Sequence, residues 1–354
     1  MQDTWKKNLR NVTPYVPGEQ PDFPDMIKLN TNENPYPPCP GVKKVLQQVD
    51  ADTLRLYPDP EARALKQELA KCHGILESQI YTGVGSDDVL AIAFMTCFNS
   101  GKPILFPQIT YSFYDVWAEL FKIPYERPAM GEGFTIRKED YYKDNGGIVI
   151  ANPNAPTGIY ENLDFVRDIL EHNRDVVVIV DEAYIDFGGE SACRLIEEYP
   201  NLLVVRTFSK SHSMAGMRIG YAMGNAELIG AMNAVGNSYN SYPLTRLSVV
   251  LGVESVKDIV YFTDTLEKIK RTRERTKKAL AGLGFTFPDS QTNFIFAAHE
   301  KVSAVEIFEK LREKHIFVRH FSAPEIDNYL RITVGTDAEM DTLLSELEKI
   351  VGVA

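Results

Sequence analysis

Apolar residues recur along this chain in two rhythms, and their alternation lays out an architecture before any single residue is considered. From residue 103 onward, unbroken apolar runs at 104–106, 148–151, 176–180 and 202–205 are separated by stretches of helical spacing near 112, 163 and 192. Continuous apolar strands separated by helices predict a parallel sheet covered on both faces, because a strand buried on both sides has no polar side to present. Upstream, residues 61–73 carry Ala64, Leu65, Leu69 and Cys72 on one helical face, and Gly74 stands at the expected stop. A charged helical stretch over about 253–283 closes the sheet region. Its Lys268, Lys270, Arg271, Arg273, Glu274 and Arg275 read as a solvated face.

The pattern changes after residue 285. A strand at 293–297, a helix at 304–314, strands at 316–320 and 329–334 and a last helix at 338–350 make a small α+β unit. At the other end, Pro14, Pro17, Pro21, Pro24, Pro35, Pro37, Pro38 and Pro40 leave regular structure only for a short strand at 27–29. This is an arm that wraps a neighbour or covers a pocket, or else a plain tail. The expected fold is α/β, with a mostly parallel central sheet covered by helices and a smaller α+β domain. Residues 1–45 form the arm and part of the small domain, 46–265 the large domain, and 266–354 the small C-terminal domain, reached through a linking helix at 266–283.

Composition narrows the function. A chain of 354 residues with 44% hydrophobic content has room for about two domains of about 150 residues each. A net charge of −11 argues against a broad nucleic-acid surface, so an anionic substrate must be met by local cations. The longest uncharged apolar run, 89–98, is about half of what a membrane span needs, and the N-terminus has no apolar signal core. Cys39, Cys72, Cys97 and Cys193 are scattered without metal or redox spacing. They read as reduced thiols, which favours the cytoplasm.

The carboxyl ends of the predicted strands collect the candidate chemistry. They carry Gln108 to Tyr111, Asn152 to Gly158, Asp181 to Tyr184, and Ser209 with Lys210, at the edge where open α/β sheets bind ligands. Lys210 is a lone lysine among hydroxyls, and Arg218 follows eight residues on. The pair suits a covalent anchor beside a phosphate, or is a surface loop with two unrelated cations. Gly83, Gly85, Ser86, Asp87 and Asp88 precede an apolar helix. They read as a phosphate cradle with Ser86 as N-cap, or as a well-capped helix whose aspartates satisfy its dipole. Asp181 ends a fully apolar strand, where a carboxylate is costly to bury unless a cation meets it. A protonated pyridine nitrogen about 3 Å away would be attracted by roughly 5 kcal/mol at an effective dielectric near 20. No Gly-x-Ser-x-Gly elbow or metal-type cluster competes. His212 reads as a proton carrier or as a structural histidine.

Together, residues 29–35, Tyr57-Pro58-Asp59, residues 83–87, 152–158 and 181–184, Ser209-Lys210 with Arg218, and residues 331–336 resemble the fold-type I pyridoxal-phosphate aminotransferases, in order and over nearly the whole chain. The resemblance implies pyridoxal 5'-phosphate as cofactor, with Lys210 as its covalent anchor and proton carrier, Asp181 on the ring nitrogen, Tyr184 on the phenolic oxygen and Tyr111 stacked on the ring. It implies that Gly85, Ser86, Asp87, Ser209 and Arg218 hold the phosphate, and that Tyr57 is lent across a homodimer interface. One position departs: the family's asparagine before Pro-Thr-Gly is here Ala155. Either Asn154 or Asn152 takes that role through a shifted loop, or Tyr184 acts alone.

On the substrate side, alternation over 329–334 turns Arg331 away from the local core, where its planar fork suits a carboxylate. By resemblance Arg331 binds the substrate α-carboxylate with help from Asn32, while Arg319 and Tyr15 match positions that read a distal phosphate. Arg319 has Glu325 as an alternative partner. The expected reaction moves an amino group between a phosphorylated amino donor and 2-oxoglutarate. The rivals are an aromatic amino-acid aminotransferase, a phosphothreonine-type decarboxylase, a ligand-sensing module that keeps the cofactor, and a nucleotide-binding α/β protein.

Overall fold

The computed structural model describes residues 4–352. The arm runs from a short turn at Thr4–Asn8 to β1 (Ile27–Lys28), and two helices follow, α1 (Pro40–Gln47) and α2 (Arg63–His73). The first helix falls in the stretch expected to be irregular. Pro40 occupies its first turn, where the missing N–H has no partner to lose. In α2 the stop at Gly74 is left-handed, with φ 69°. The buried face is nevertheless Leu65, Lys66, Leu69 and Ala70, while Ala64 and Cys72 face solvent.

The large sheet is built from β2 (Ile80–Gly83), α3 (Gly85–Cys97), β3 (Ile104–Leu105), α4 (Phe113–Phe121), β4 (Tyr125–Glu126), β5 (Ile148–Ala151), α5 (Leu163–His172), β6 (Val178–Asp181), β7 (Leu202–Thr207) and β8 (Gly220–Gly224). Its order is β2-β8-β7-β6-β5-β3-β4. Every pairing is parallel except those of β8, which runs antiparallel to both β2 and β7. Two apolar clusters cover the two faces. The expected helix near 192 is only a single turn at Ala192–Leu195.

Helices α6 (Ala226–Tyr239), α7 (Arg246–Lys257) and α8 (Ile259–Gly282) come next. The single helix expected over 253–283 is therefore two. The break falls at Asp258, whose side chain accepts from Tyr261 N and caps α8. Arg273 is not on a solvated face: it is 4% exposed and its Nη1 donates to Phe187 O at 3.0 Å and Thr292 O at 2.8 Å.

The small domain contains β9 (Phe285–Thr286), β10 (Phe294–His299), α9 (Ala304–Glu313), β11 (Ile316–Phe317), β12 (Arg319–His320), β13 (Leu330–Thr333) and α10 (Asp337–Val351). Its antiparallel sheet has the order β12-β13-β10-β9. The strand expected over 316–320 divides at Val318. Its first half pairs parallel with β1 and fastens the arm, and its second half pairs with β13, which sets Arg319 opposite Arg331. Its core also takes in Leu29 of the arm and Leu266, Ile269 and Leu280 of α8. Among the described residues no helix is long and apolar enough to cross a membrane.

Candidate active site

The polar clusters at the strand ends meet around one cavity of about 280 Å³. Gly85, at φ 83°, opens α3, and a Cβ there would lie 2.6 Å from Arg218 Nη2. Gly220 is equally required, since its Cβ would lie 2.3 Å from Gly85 C and 2.4 Å from Ser86 N. These two glycines let β8 press against the start of α3. Ser86 is not the N-cap but lies within the first turn; Asp88 Oδ2 accepts from Val84 N at 2.9 Å instead. Amides of a first turn have no intrahelical partner, and Ser86 and Asp87 line the cavity. Arg218, itself left-handed at φ 50°, reaches Asp87 Oδ2 at 3.1 Å and Ser209 Oγ at 3.5 Å. A helix start, a hydroxyl and a guanidinium make a site for a dianion.

Asp181 closes β6 at 5% exposure. Tyr114 OH donates to its Oδ2 at 2.7 Å and Ala183 N to its Oδ1 at 3.3 Å. Among the described residues it has no ion-pair partner. Burial raises its pKa to about 6, against the lowering effect of these two donors. Tyr111 OH donates to Asp87 Oδ1 at 2.9 Å, so its ring is fixed at the cavity wall. Lys210 Nζ donates to Thr31 O at 3.0 Å and lies 5.8 Å from the centre of the Tyr184 ring. Tyr184 OH accepts from Asn32 Nδ2 at 2.8 Å.

Arg331 and Arg319 enter the same cavity from the small domain, and Tyr15 enters from the arm. Arg331 Nη2 donates to Asn30 O at 3.1 Å, while its Nε is buried without any partner. Burial pulls the pKa of Arg331 down, and Arg319 beside it adds to this. Neither arginine forms an ion pair among the described residues. Glu325 instead accepts from Gln108 Nε2 at 2.9 Å. Tyr15 stacks on Phe113, with ring centres 4.5 Å apart.

One sequence expectation meets a different arrangement. Asn154 is spent on the loop, giving Nδ2 to Ile109 O and Thr157 Oγ1 and accepting from Thr110. Asn152 is held at both ends by the backbone of Glu161. The shifted-loop reading therefore fails: Pro153 and Ala155, not these asparagines, line the cavity. Tyr57 lies outside this cavity, 78% exposed and stacked on Tyr242. His212 is packed between Phe208 and Phe262 at 4.3 and 4.5 Å and bonded to Ser255 Oγ. Burial lowers its pKa to about 4, as suits a structural histidine. Two contributors were missed. Tyr114 supports Asp181, and Asn34 Nδ2 lies 3.2 Å from both Lys210 O and Ser211 O. Only the three-residue step from Tyr111 to Tyr114 into a helix could have signalled the first.

The family described as "Aminotransferase class I and II" matches residues 24–347. This chain belongs to that family. As a member it is 49% identical over 346 residues to the histidinol-phosphate aminotransferase of Lactococcus lactis subsp. cremoris (strain MG1363), covering 98% of this chain and 97% of the relative. It is 48% identical over 350 residues to the protein of the same description from Chromohalobacter salexigens, with 99% of each covered. Among solved structures, the histidinol-phosphate aminotransferase from Sinorhizobium meliloti, in complex with pyridoxal-5'-phosphate, superposes with a TM-score of 0.84 at 25% identity, over 93% of this chain and 92% of that one.

Proposed function

We propose that this aminotransferase transfers an amino group from L-histidinol phosphate to 2-oxoglutarate, giving imidazole-acetol phosphate and glutamate in histidine biosynthesis, with pyridoxal 5'-phosphate as cofactor. The observation that carries it is the pair Arg319 and Arg331, opposite each other on β12 and β13, without carboxylate partners, and in one cavity with Lys210 and Asp181. The relatives named above supply the substrate.

The residues fit the cofactor. Asp181 is a buried carboxylate that lacks a cation, and the cradle of Gly85, Ser86, Asp87, Ser209 and Arg218 suits a phosphate. When bound, pyridoxal phosphate supplies an aldehyde for the amine and a protonated ring that draws electrons from the substrate α-carbon. Asp181 would hold that ring nitrogen in its charged form, with Tyr114 fixing the carboxylate. Asn32 orients the Tyr184 hydroxyl, which would donate toward the phenolic oxygen without help from an asparagine before Pro156. Tyr111 supplies the ring wall. Lys210 Nζ would anchor the cofactor and carry the proton of the substrate α-carbon.

The two substrates explain two arginines. Glutamate brings an α-carboxylate, which the fork of Arg331 suits. Histidinol phosphate has no carboxylate and brings a phosphate dianion on the neighbouring carbon, so the second cation, Arg319, and the Tyr15 hydroxyl answer the added charge and oxygen. Asn32 acts on the substrate through Tyr184. We infer in addition a cytoplasmic homodimer that lends Tyr57 across its interface; exposed Leu54, Leu56, Tyr57, Tyr239 and Tyr242 support a covered face there.

A donor panel tests the assignment. Arg319→Met and Tyr15→Phe should each lower kcat/KM for histidinol phosphate at least about tenfold, the weight of one charge-assisted hydrogen bond, while changing that for an unphosphorylated aromatic amino acid little. Equal losses on both donors would point to the aromatic aminotransferase reading.

A further inference from the structure

A second cavity of about 280 Å³ lies between α2, the edge strand β2 and α6, and shares no lining residue with the active site. Lys66, Ser78, Tyr81, Thr82 and Asn233 line it. Lys66 is 9% exposed, and Tyr81 and Thr82 are each 5% exposed. No hydrogen bond or ion pair reaches the Lys66 ammonium, the Tyr81 hydroxyl or the Thr82 hydroxyl among the described residues. Glu61, Arg63 and Glu77 also line the cavity, but all three are exposed, so Lys66 is the one charged lining residue whose side chain is mostly buried.

This is an unusual thing for a folded chain to keep. A lysine is rarely buried to this extent without a partner, and here burial lowers the pKa of Lys66 while Glu61, Asp59 and Glu77 oppose it only from a distance. Tyr81 and Thr82, adjacent on β2 and so on opposite faces of it, both line this cavity. The strand is also the edge of its sheet, with an outer row of backbone groups that no strand covers. A mostly buried lysine whose unpaired ammonium opens into a cavity is a counter-charge for an oxyanion.

We propose that this cavity binds a small oxyanion of the size and charge of phosphate, with Lys66 as its counter-charge. Ligand binding at this site stabilises the fold and is separate from binding of the cofactor or substrate phosphate.

The probe is inorganic phosphate titrated calorimetrically into holoenzyme carrying Arg319→Met, so that the cofactor fills its own cradle and the substrate subsite is weakened. One site per chain is expected. Adding Lys66→Met should weaken it at least tenfold, and Lys66→Arg should keep it within about threefold. Thermal melts give a second reading. Phosphate at ten times its Kd should raise the Tm of the Lys66 form by about 2 °C and leave the Lys66→Met form unmoved. Without phosphate, Lys66→Met should melt no lower than its parent, since it removes a charge without a partner among the described residues and keeps an apolar stem in the same place. The proposal is overturned if the parent binds no phosphate, or if Lys66→Met binds it as the parent does. A change of oligomeric state in Lys66→Met with unaltered phosphate binding would also overturn it, assigning the lysine to contact with a second copy.

Discussion

Burial of Asp181 works against the folded chain until a cation meets it. Its pKa is raised to about 6, so above that pH the folded state holds a charge that the unfolded chain would carry more easily, and below about pH 4 both states are protonated and the penalty vanishes. A shift from the ordinary carboxylate range to about 6 corresponds to roughly 3 kcal/mol. Asp181→Asn should therefore raise the urea-unfolding free energy of the cofactor-free protein by about 1–3 kcal/mol at pH 7.5, with the gain shrinking toward zero as pH falls to 4. The same variant should bind pyridoxal phosphate more weakly in an absorbance titration. A variant less stable than wild type at pH 7.5 would show that the carboxylate already has its counter-charge in the chain. Residues of this kind were legible in the sequence. Lys210 and Asp181 are charges at or near the ends of apolar runs, Arg218 follows Lys210 by eight residues and Arg331 stands on the polar side of an alternating strand. An unexplained charge in such a place asks for a ligand. Asn154 was not legible, because chain order does not give side-chain direction, and its amide closes its own loop through Ile109, Thr110 and Thr157. Tyr114 was hidden for the opposite reason: a phenol on an apolar helix reads as core until its hydroxyl is seen to meet Asp181.

At the scale of elements, α8 joins the two halves through Arg273. Its guanidinium donates to Phe187 O, in the turn after β6, and to Thr292 O, at the entrance to β10. Arg273→Met keeps the stem packing but leaves two buried carbonyls without donors. It should cost about 2–4 kcal/mol, read as a lowered urea midpoint, and Arg273→Lys should recover part of the loss. No change in midpoint would mean that water replaces the guanidinium. The same helix shows why some elements were predicted and others were not. Leu163–His172 and Ile148–Ala151 match their expected positions because an uninterrupted pattern fixes them. By contrast β2 and β8 carry Gly83, Gly220 and Gly224, and glycine weakens a strand signal where close backbone approach demands it. The break at Asp258 was missed because aspartate is tolerated within a helical pattern and shows itself as a cap only once the chain direction changes. The division at Val318 could not be read locally either, since it depends on two distant partners, β1 and β13.

For the whole molecule, the cavity is built from the large domain, the small domain and the arm, yet its phosphate cradle remains open on one side: Arg218 is 45% exposed at its side chain although it faces the dianion site. Tyr57 is 78% exposed and stacked on Tyr242, with its backbone carbonyl accepting from Arg246, so it is held on the surface away from its own chain's cavity. An ordered, outward tyrosine in an apolar patch is what a second copy would use to complete an open cradle, and a closed two-fold pair would exchange the two tyrosines reciprocally. Subunit mixing tests this directly. Lys210→Ala chains lack the anchor and should be inactive, and Tyr57→Ala chains should bind the cofactor more weakly and lose most activity at limiting pyridoxal phosphate. If the two are unfolded and refolded together in equal amounts, about half of the pairs are hybrids. In each hybrid one site combines Lys210 of one protomer with Tyr57 of its partner, so activity at limiting cofactor should return to about one quarter of wild type. Were Tyr57 to serve its own chain, or not to serve the site at all, mixing would give only the average of the two parents. The recovered quarter therefore reports the shared site itself, independently of any measurement of mass.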